Sequence, residues 1–238
     1  MTANRVYLDH AATTDILPAA IDAMVQQMRT GGNPSSLHAI GREARAAVEY
    51  ARERIAQAIG CDAAEVIFTS GGTEADNLAV KGMYWKRHSA DPARRRILVS
   101  SIEHHAVEET CEWLETHQGA VIEWIPVDAQ GLVHPDTVRE LIAKNPADVA
   151  LVTVMWANNE VGTIQPIAEI AQLAAEYGIP MHSDAVQAFG AVPVNFRESQ
   201  VTTLAISGHK IGGPMGVGAL IATRSADMTP VLHGGGQE

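Results

Sequence analysis

Seven short, nearly continuous apolar runs, several of them separated by stretches of helical periodicity, constrain this chain more than any other feature. They are "EVIFTS" (65–70), "RILVSS" (96–101), "VIEWIPV" (121–127), "VALVTVMWA" (149–157), "IPMHSDA" (179–185), "VTTLAIS" (201–207) and "GVGALIAT" (216–223). Runs of that length bounded by turn residues read as strands, and strands that are apolar throughout leave no face for solvent. Between them "TEADNLAVKGMYW" (73–85), Val107 to Thr116, Asp136 to Ala143 and Ile167 to Tyr177 carry helical spacing, and a longer amphipathic helix from Leu37 to Ile59 precedes the first run. The alternation predicts an α/β fold: a mostly parallel sheet of about seven strands covered by helices on both faces. At 238 residues and 46% hydrophobic, the chain can fill such a core as one large domain.

In sheets of this kind ligands bind beyond the carboxyl ends of the strands. Those ends carry Gly71-Gly72-Thr73, Glu103-His104-His105, Asn158-Asn159-Glu160, Asp184 with Gln187, and Ser207-Gly208-His209-Lys210. Five chemically capable ends in one chain favour a shared site over ordinary loop polarity. The glycine turn before a helix can present N–H groups and a Thr73 hydroxyl to a phosphate, although a tight turn with Thr73 as N-cap reads equally well. No Walker pattern and no G-x-G-x-x-G is present, which disfavours nucleoside triphosphates. Asp184, at the end of a buried strand, needs a cationic partner; its competing role is to cap a helix beginning near Val186. Of four lysines, Lys81, Lys86 and Lys144 fall on amphipathic or turn segments, whereas Lys210 sits between an apolar run and a glycine cluster. An amine there suits a Schiff base, a task for which guanidinium is unsuited. His104 is open to a structural role, ring stacking or proton transfer.

The net charge of −11 and a pI near 5.3 argue against nucleic acid as a partner. No apolar run approaches the roughly 20 residues that span a bilayer, and no signal-peptide pattern opens the chain, so a soluble, cytoplasmic protein without a membrane role is expected. Cys61 and Cys111 have neither disulfide nor zinc spacing, and no metal site is predicted. The final "LHGGGQE" lacks a closing element, so the chain is expected to be cut short there.

The stretches "YLDHAATT" (7–14), "GNPSSLH" (32–38), "FTSGGTEADNLA" (68–79), "EHHAV" (103–107), "ANNEVGTIQPI" (157–167), "HSDAVQAFG" (182–190), "SGHKIGGPMGVGAL" (207–220) and "HGGGQE" (233–238) resemble, in this order, the class V aminotransferase-type pyridoxal phosphate enzymes, specifically the cysteine desulfurases of iron–sulfur cluster assembly. The resemblance implies a fold type I large domain over 17–238, an arm (1–16) belonging to a small domain, and pyridoxal 5'-phosphate as cofactor. By the same resemblance Lys210 forms the Schiff base, Gly72, Thr73, Ser207 and His209 hold the phosphate, and Asp184 pairs with the ring nitrogen. Gln187 and Asn158 lie on the ring's hydroxyl side, His104 stacks on the ring and moves protons, and Asn33 and Asn158 meet the substrate. The implied reaction takes L-cysteine to L-alanine, its sulfur passing to a loop cysteine as a persulfide and then to an iron–sulfur scaffold or other acceptor. A homodimer is implied for the complete protein. The family's nucleophilic cysteine and substrate-carboxylate arginine have no counterpart here, and neither Cys61 nor Cys111 matches that nucleophile's context. A non-catalytic cofactor-binding or scaffold protein, or another class V enzyme such as a selenocysteine lyase, is the alternative.

Overall fold

The computed structural model describes residues 6–235. Seven strands form one sheet: β1 (Val66–Thr69), β2 (Arg96–Ser100), β3 (Val121–Ile125), β4 (Val149–Thr153), β5 (Met181–Asp184), β6 (Thr203–Ser207) and β7 (Gly218–Ala222). Their spatial order is β1-β7-β6-β5-β4-β2-β3. Neighbours from β6 through β5, β4 and β2 to β3 are parallel, and β7 runs antiparallel to both β6 and β1. Every strand except β7 therefore points the same way, and six carboxyl ends share one edge. All seven apolar runs lie in the sheet, as the sequence predicts.

The helices are α1 (Pro18–Thr30), α2 (Ala39–Ile59), α3 (Gly72–Ala90), α4 (His105–Gln118), α5 (Pro135–Lys144), α6 (Ile167–Glu176) and the single turn α7 (Phe196–Ser199). Two cores, one on each face, explain the apolar strands. Ile97 and Val99 pack with Ala79, Val80, Met83 and Leu114 of α3 and α4, while Leu98 between them joins Ile142, Ile170 and Ala56 on the other side. The period-two alternation that a one-faced sheet writes in polarity is written here between two apolar layers.

Local signals set the ends of the elements. The Nδ1 of His38 accepts the N–H of Gly41 and starts α2 two residues later than the sequence periodicity implies, and Gly60 closes it in the left-handed conformation (φ 78°). Helix α1 is an addition that the sequence pattern does not announce: none of its residues is buried, so it carries no core-facing stripe. At the amino end of β2 the guanidinium of Arg96 bonds Asp148 (2.7 Å), the carbonyls of Leu141 and Asn145 (2.9 Å each) and Glu123, locking α5 to the edge remote from the strands' carboxyl ends. Among the described residues no helix is long and apolar enough to cross a membrane.

Candidate active site

Helix α3 crosses the sheet from β1 past β7, β6 and β5 to β4. Its first turn therefore lies at the end of β1 while its body covers the strands that carry the other functional residues. A helix beginning at Gly72 leaves its first N–H groups without intrahelical partners, and these carry the positive end of the helix dipole. Two glycines make that placement possible. A Cβ on Gly72 would come within 2.7 Å of a Val186 methyl, and one on Gly218 would meet the backbone of Gly71 at 2.7 Å, so β7 approaches the turn as closely as it does because position 218 has no side chain. Glu74 turns back to accept from both the N–H and the hydroxyl of Ser70, and it lines a different cavity.

A cavity of about 560 Å³ opens at the carboxyl edge, lined among others by Gly72, Thr73, His104, Asp184, Gln187, Ser207, His209 and Lys210. The five polar strand ends thus converge, each contributing to this wall; from the third, Asn159 and Glu160 line it. Asn158 itself does not. Its amide donates to the carbonyl of Ile102 (2.9 Å) and its Oδ1 accepts the N–H groups of Glu160 and Val161, so the side chain shapes the loop behind the wall. Asn33 lies outside the cavity, exposed between α1 and α2 with its Oδ1 accepting from Ser35. A larger cavity, about 1060 Å³, has Glu169 and Glu198 as its only charged lining residues and offers no amine.

Asp184 is 4% exposed, and its Oδ1 accepts the Val186 N–H at 2.8 Å. No helix starts at Val186; the carboxylate closes a turn instead. Burial, reinforced by Asp76, pushes its pKa up to about 7, with the backbone bond and the nearby histidines opposing. A carboxyl so placed becomes comfortable as an anion only when a cation reaches it.

Lys210 ends a short 3-10 turn after β6, and burial lowers its pKa while Asp184 and Asp9 raise it. Its Nζ donates to the carbonyl of Ala12 at 3.0 Å and also to that of Ala11. Ala11 also accepts from Gln187 Nε2 (2.6 Å). The N-terminal segment is stitched to the lysine loop by Thr14, whose N–H and hydroxyl both donate to the carbonyl of His209 at 2.9 Å and whose hydroxyl accepts from Gly212. His209 bonds Thr13 through Nδ1 (3.2 Å) and is held below the usual imidazole pKa by burial and by Lys210. His104 caps α4, its Nδ1 accepting the Ala106 N–H at 3.1 Å, and this fixes the ring at the cavity rim.

At the floor of the cavity, which Asp76 helps to line, are three titratable residues, of which the strand-end reading caught Glu103 and missed Asp76 and His182. Asp76 on α3 and His182 on β5 are 1% and 0% exposed, with His182 Nε2 3.1 Å from Asp76 Oδ1 and Nδ1 3.0 Å from the Thr203 hydroxyl. Glu103 accepts the Met155 N–H through Oε1 (2.7 Å) while its buried Oε2 has no partner. The spacing of His182 and Asp184, two apart on one strand, was the available clue, because it puts both side chains on one face.

A family model described as "Aminotransferase class-V" matches residues 6–238. The chain is 56% identical over 232 residues to an "IscS-like cysteine desulfurase" of Mycobacterium tuberculosis, covering 98% of this chain and 59% of that protein. It is 47% identical to a "Cysteine desulfurase IscS" of Dictyoglomus turgidum, covering 98% and 58%. A solved structure described as "SspA in complex with cysteine" superimposes with a TM-score of 0.91 at 37% identity, over 98% of this chain and 66% of that one. The chain therefore spans about three fifths of the length of the curated relatives it matches.

Proposed function

Because the chain belongs to the class-V aminotransferase family, we propose that it is the cofactor-binding part of a pyridoxal phosphate-dependent cysteine desulfurase, which takes L-cysteine to L-alanine and passes the sulfur on as an enzyme persulfide. The observation that carries this reading is a single cavity holding both the Lys210 amine and a buried carboxyl, Asp184, that lacks a cation. Its similarity to named cysteine desulfurases over nearly its whole length supports the choice of substrate. Residues 1–16 are read as an arm that belongs to a small domain, and residues 17–238 as the large domain.

The donor set fits the cofactor. The α3 N-terminus with Gly72 and Thr73, flanked by Ser207 and His209, offers N–H and O–H donors to a phosphate dianion. Asp184 offers an acid wanting a cation, and Lys210 a partly desolvated amine. When bound, pyridoxal phosphate supplies an electron-withdrawing ring that acidifies the α-carbon of an amino acid. Asp184 would hold a ring-nitrogen proton in place, Lys210 would provide the amine, and His104, its Nδ1 fixed by the Ala106 N–H, would face the ring. Gln187 would meet the ring's hydroxyl side and Asn158 would serve the substrate through the loop it shapes, whereas Asn33, exposed outside the cavity, has no route to it within this chain.

Neither cysteine suits the sulfur-accepting role. Burial pushes the Cys61 thiol up to about 11, with Glu65 and Asp62 adding to it, and pushes the Cys111 thiol higher still. Neither lines the cavity, and a thiol held protonated is a poor nucleophile. Sulfur is therefore accepted by a thiol outside residues 1–238, in a homodimer that delivers it to an iron–sulfur scaffold or another acceptor. Incubation with cofactor and L-cysteine tests this: the chain alone is expected to bind pyridoxal phosphate yet release no sulfide under reducing conditions. Stoichiometric alanine and sulfide production that survives replacement of Cys61 and Cys111 would overturn the account of the nucleophile.

A further inference from the structure

Three carboxyls with no lysine or arginine bonded to them converge under the cavity. Asp76 reaches it from α3, Glu103 from the loop after β2, and Asp184 from the end of β5. The other titratable groups facing them are His182 from β5, His104 at the start of α4, the Cys111 thiol of α4 toward Glu103, and Lys210, whose amine is engaged by the carbonyls of Ala11 and Ala12. Unpaired carboxylates this close cannot all ionise in a water-poor site. Geometry distributes the protons. Asp184 and Glu103 each accept from one backbone N–H, but Asp184, like Asp76, has a face on the cavity, whereas Glu103 has an orphaned, buried Oε2. Asp76 has the Nε2 of His182, an imidazole whose other nitrogen is already bonded to the Thr203 hydroxyl.

We propose that Asp76 is a positioning residue whose proton, donated to Nε2 of His182, leaves the negative charge of the cavity floor on Asp184 alone. In this arrangement His182 is neutral, carries its proton on Nδ1 and donates it to Thr203. An ion pair of His182 and Asp76 would instead bury two charges and set an anion beside Asp184. Burial raises the pKa of Asp76 and lowers that of His182 to about 4, and both shifts favour the uncharged pair. The consequence for the proposed function, on which this last step rests, is that any cation in the cavity is drawn to Asp184 and not shared among three acids.

The cofactor-free chain, labelled with nitrogen-15 in histidine and carbon-13 in aspartate and glutamate carboxyls, decides the matter by NMR. Expected at pH 7 are an acceptor-type Nε2 and a donor-type Nδ1 on His182, with Asp76 and Glu103 protonated and Asp184 titrating above the ordinary aspartate range through burial alone. Asp76→Asn, whose amide can donate to the same nitrogen, keeps the tautomer and the Asp184 titration, while Asp76→Ala loses the fixed tautomer. A proton on Nε2 in the wild-type chain, a doubly protonated ring, or an Asp76 carboxyl ionised at pH 7 would overturn the inference. Should a variant fail to fold, the wild-type resonances still decide it. Added pyridoxal phosphate separates this inference from the reading beneath it: absence of binding defeats the proposed cofactor role, whereas the histidine resonances stand or fall on their own.

Discussion

Asp184 sets the chemistry of this molecule through what it lacks. Its native pKa of about 7 lies above the 3.8 of an unburied aspartate, so between those values the folded chain binds more protons than the unfolded one. Stability contributed by this group is therefore lost as pH rises from about 4 to about 7, by an amount on the order of 4 kcal/mol. His182 acts in the opposite sense: with its pKa lowered from 6.5 to about 4, it costs stability as pH falls through that window. Asp184→Asn keeps an acceptor for the Val186 N–H without the charge. In the cofactor-free chain it is expected to raise stability by about 1–2 kcal/mol at pH 5 and by about 4 kcal/mol at pH 8, as read by urea unfolding. Equal effects at the two pH values would contradict the desolvation argument. Lys210 and Asp184 were legible in the sequence because each is costly where it stands, a lone amine and a lone acid at the ends of apolar runs. Asp76 and His182 were not, since a buried polar residue inside a helix or strand acquires meaning only from what the fold sets beside it.

At the scale of elements, the strands were readable because each is apolar on both sides, and the helices α2 to α6 because each has a buried stripe. Helix α1 was invisible for the converse reason, having no buried residue. The site depends on how closely β7 meets the turn before α3. Gly218→Ala would drive a Cβ into the backbone of Gly71 and the carbonyl of Ile206, atoms that cannot rotate away. It is expected to cost about 1–3 kcal/mol and to weaken pyridoxal phosphate binding in a fluorescence titration; unaltered affinity would show that the turn does not depend on that approach. Arg96 lies at the opposite edge of the sheet. Its replacement by alanine, which leaves the carbonyls of Leu141 and Asn145 without their donor, is expected to lower stability by about 1–3 kcal/mol with cofactor affinity unchanged. A parallel loss of affinity would mean that the two edges are coupled.

Taken whole, the molecule exposes apolar side chains along its first forty residues, among them Leu8 (82%), Met28 (74%) and Leu37 (90%). Surface of this kind belongs in contact with other protein, and light scattering is expected to show concentration-dependent association of the isolated chain; a monodisperse monomer across the range would count against it. The sheet, the cavity and the carbonyls of Ala11 and Ala12 on Lys210 nevertheless form one arrangement centred on a single amine. Borohydride reduction of the chain with pyridoxal phosphate, followed by peptide mass mapping, tests that centre most directly. The account predicts one modified lysine, Lys210, and no modification in Lys210→Ala; reduction that marks Lys81, Lys86 or Lys144 with Lys210 left free would contradict it.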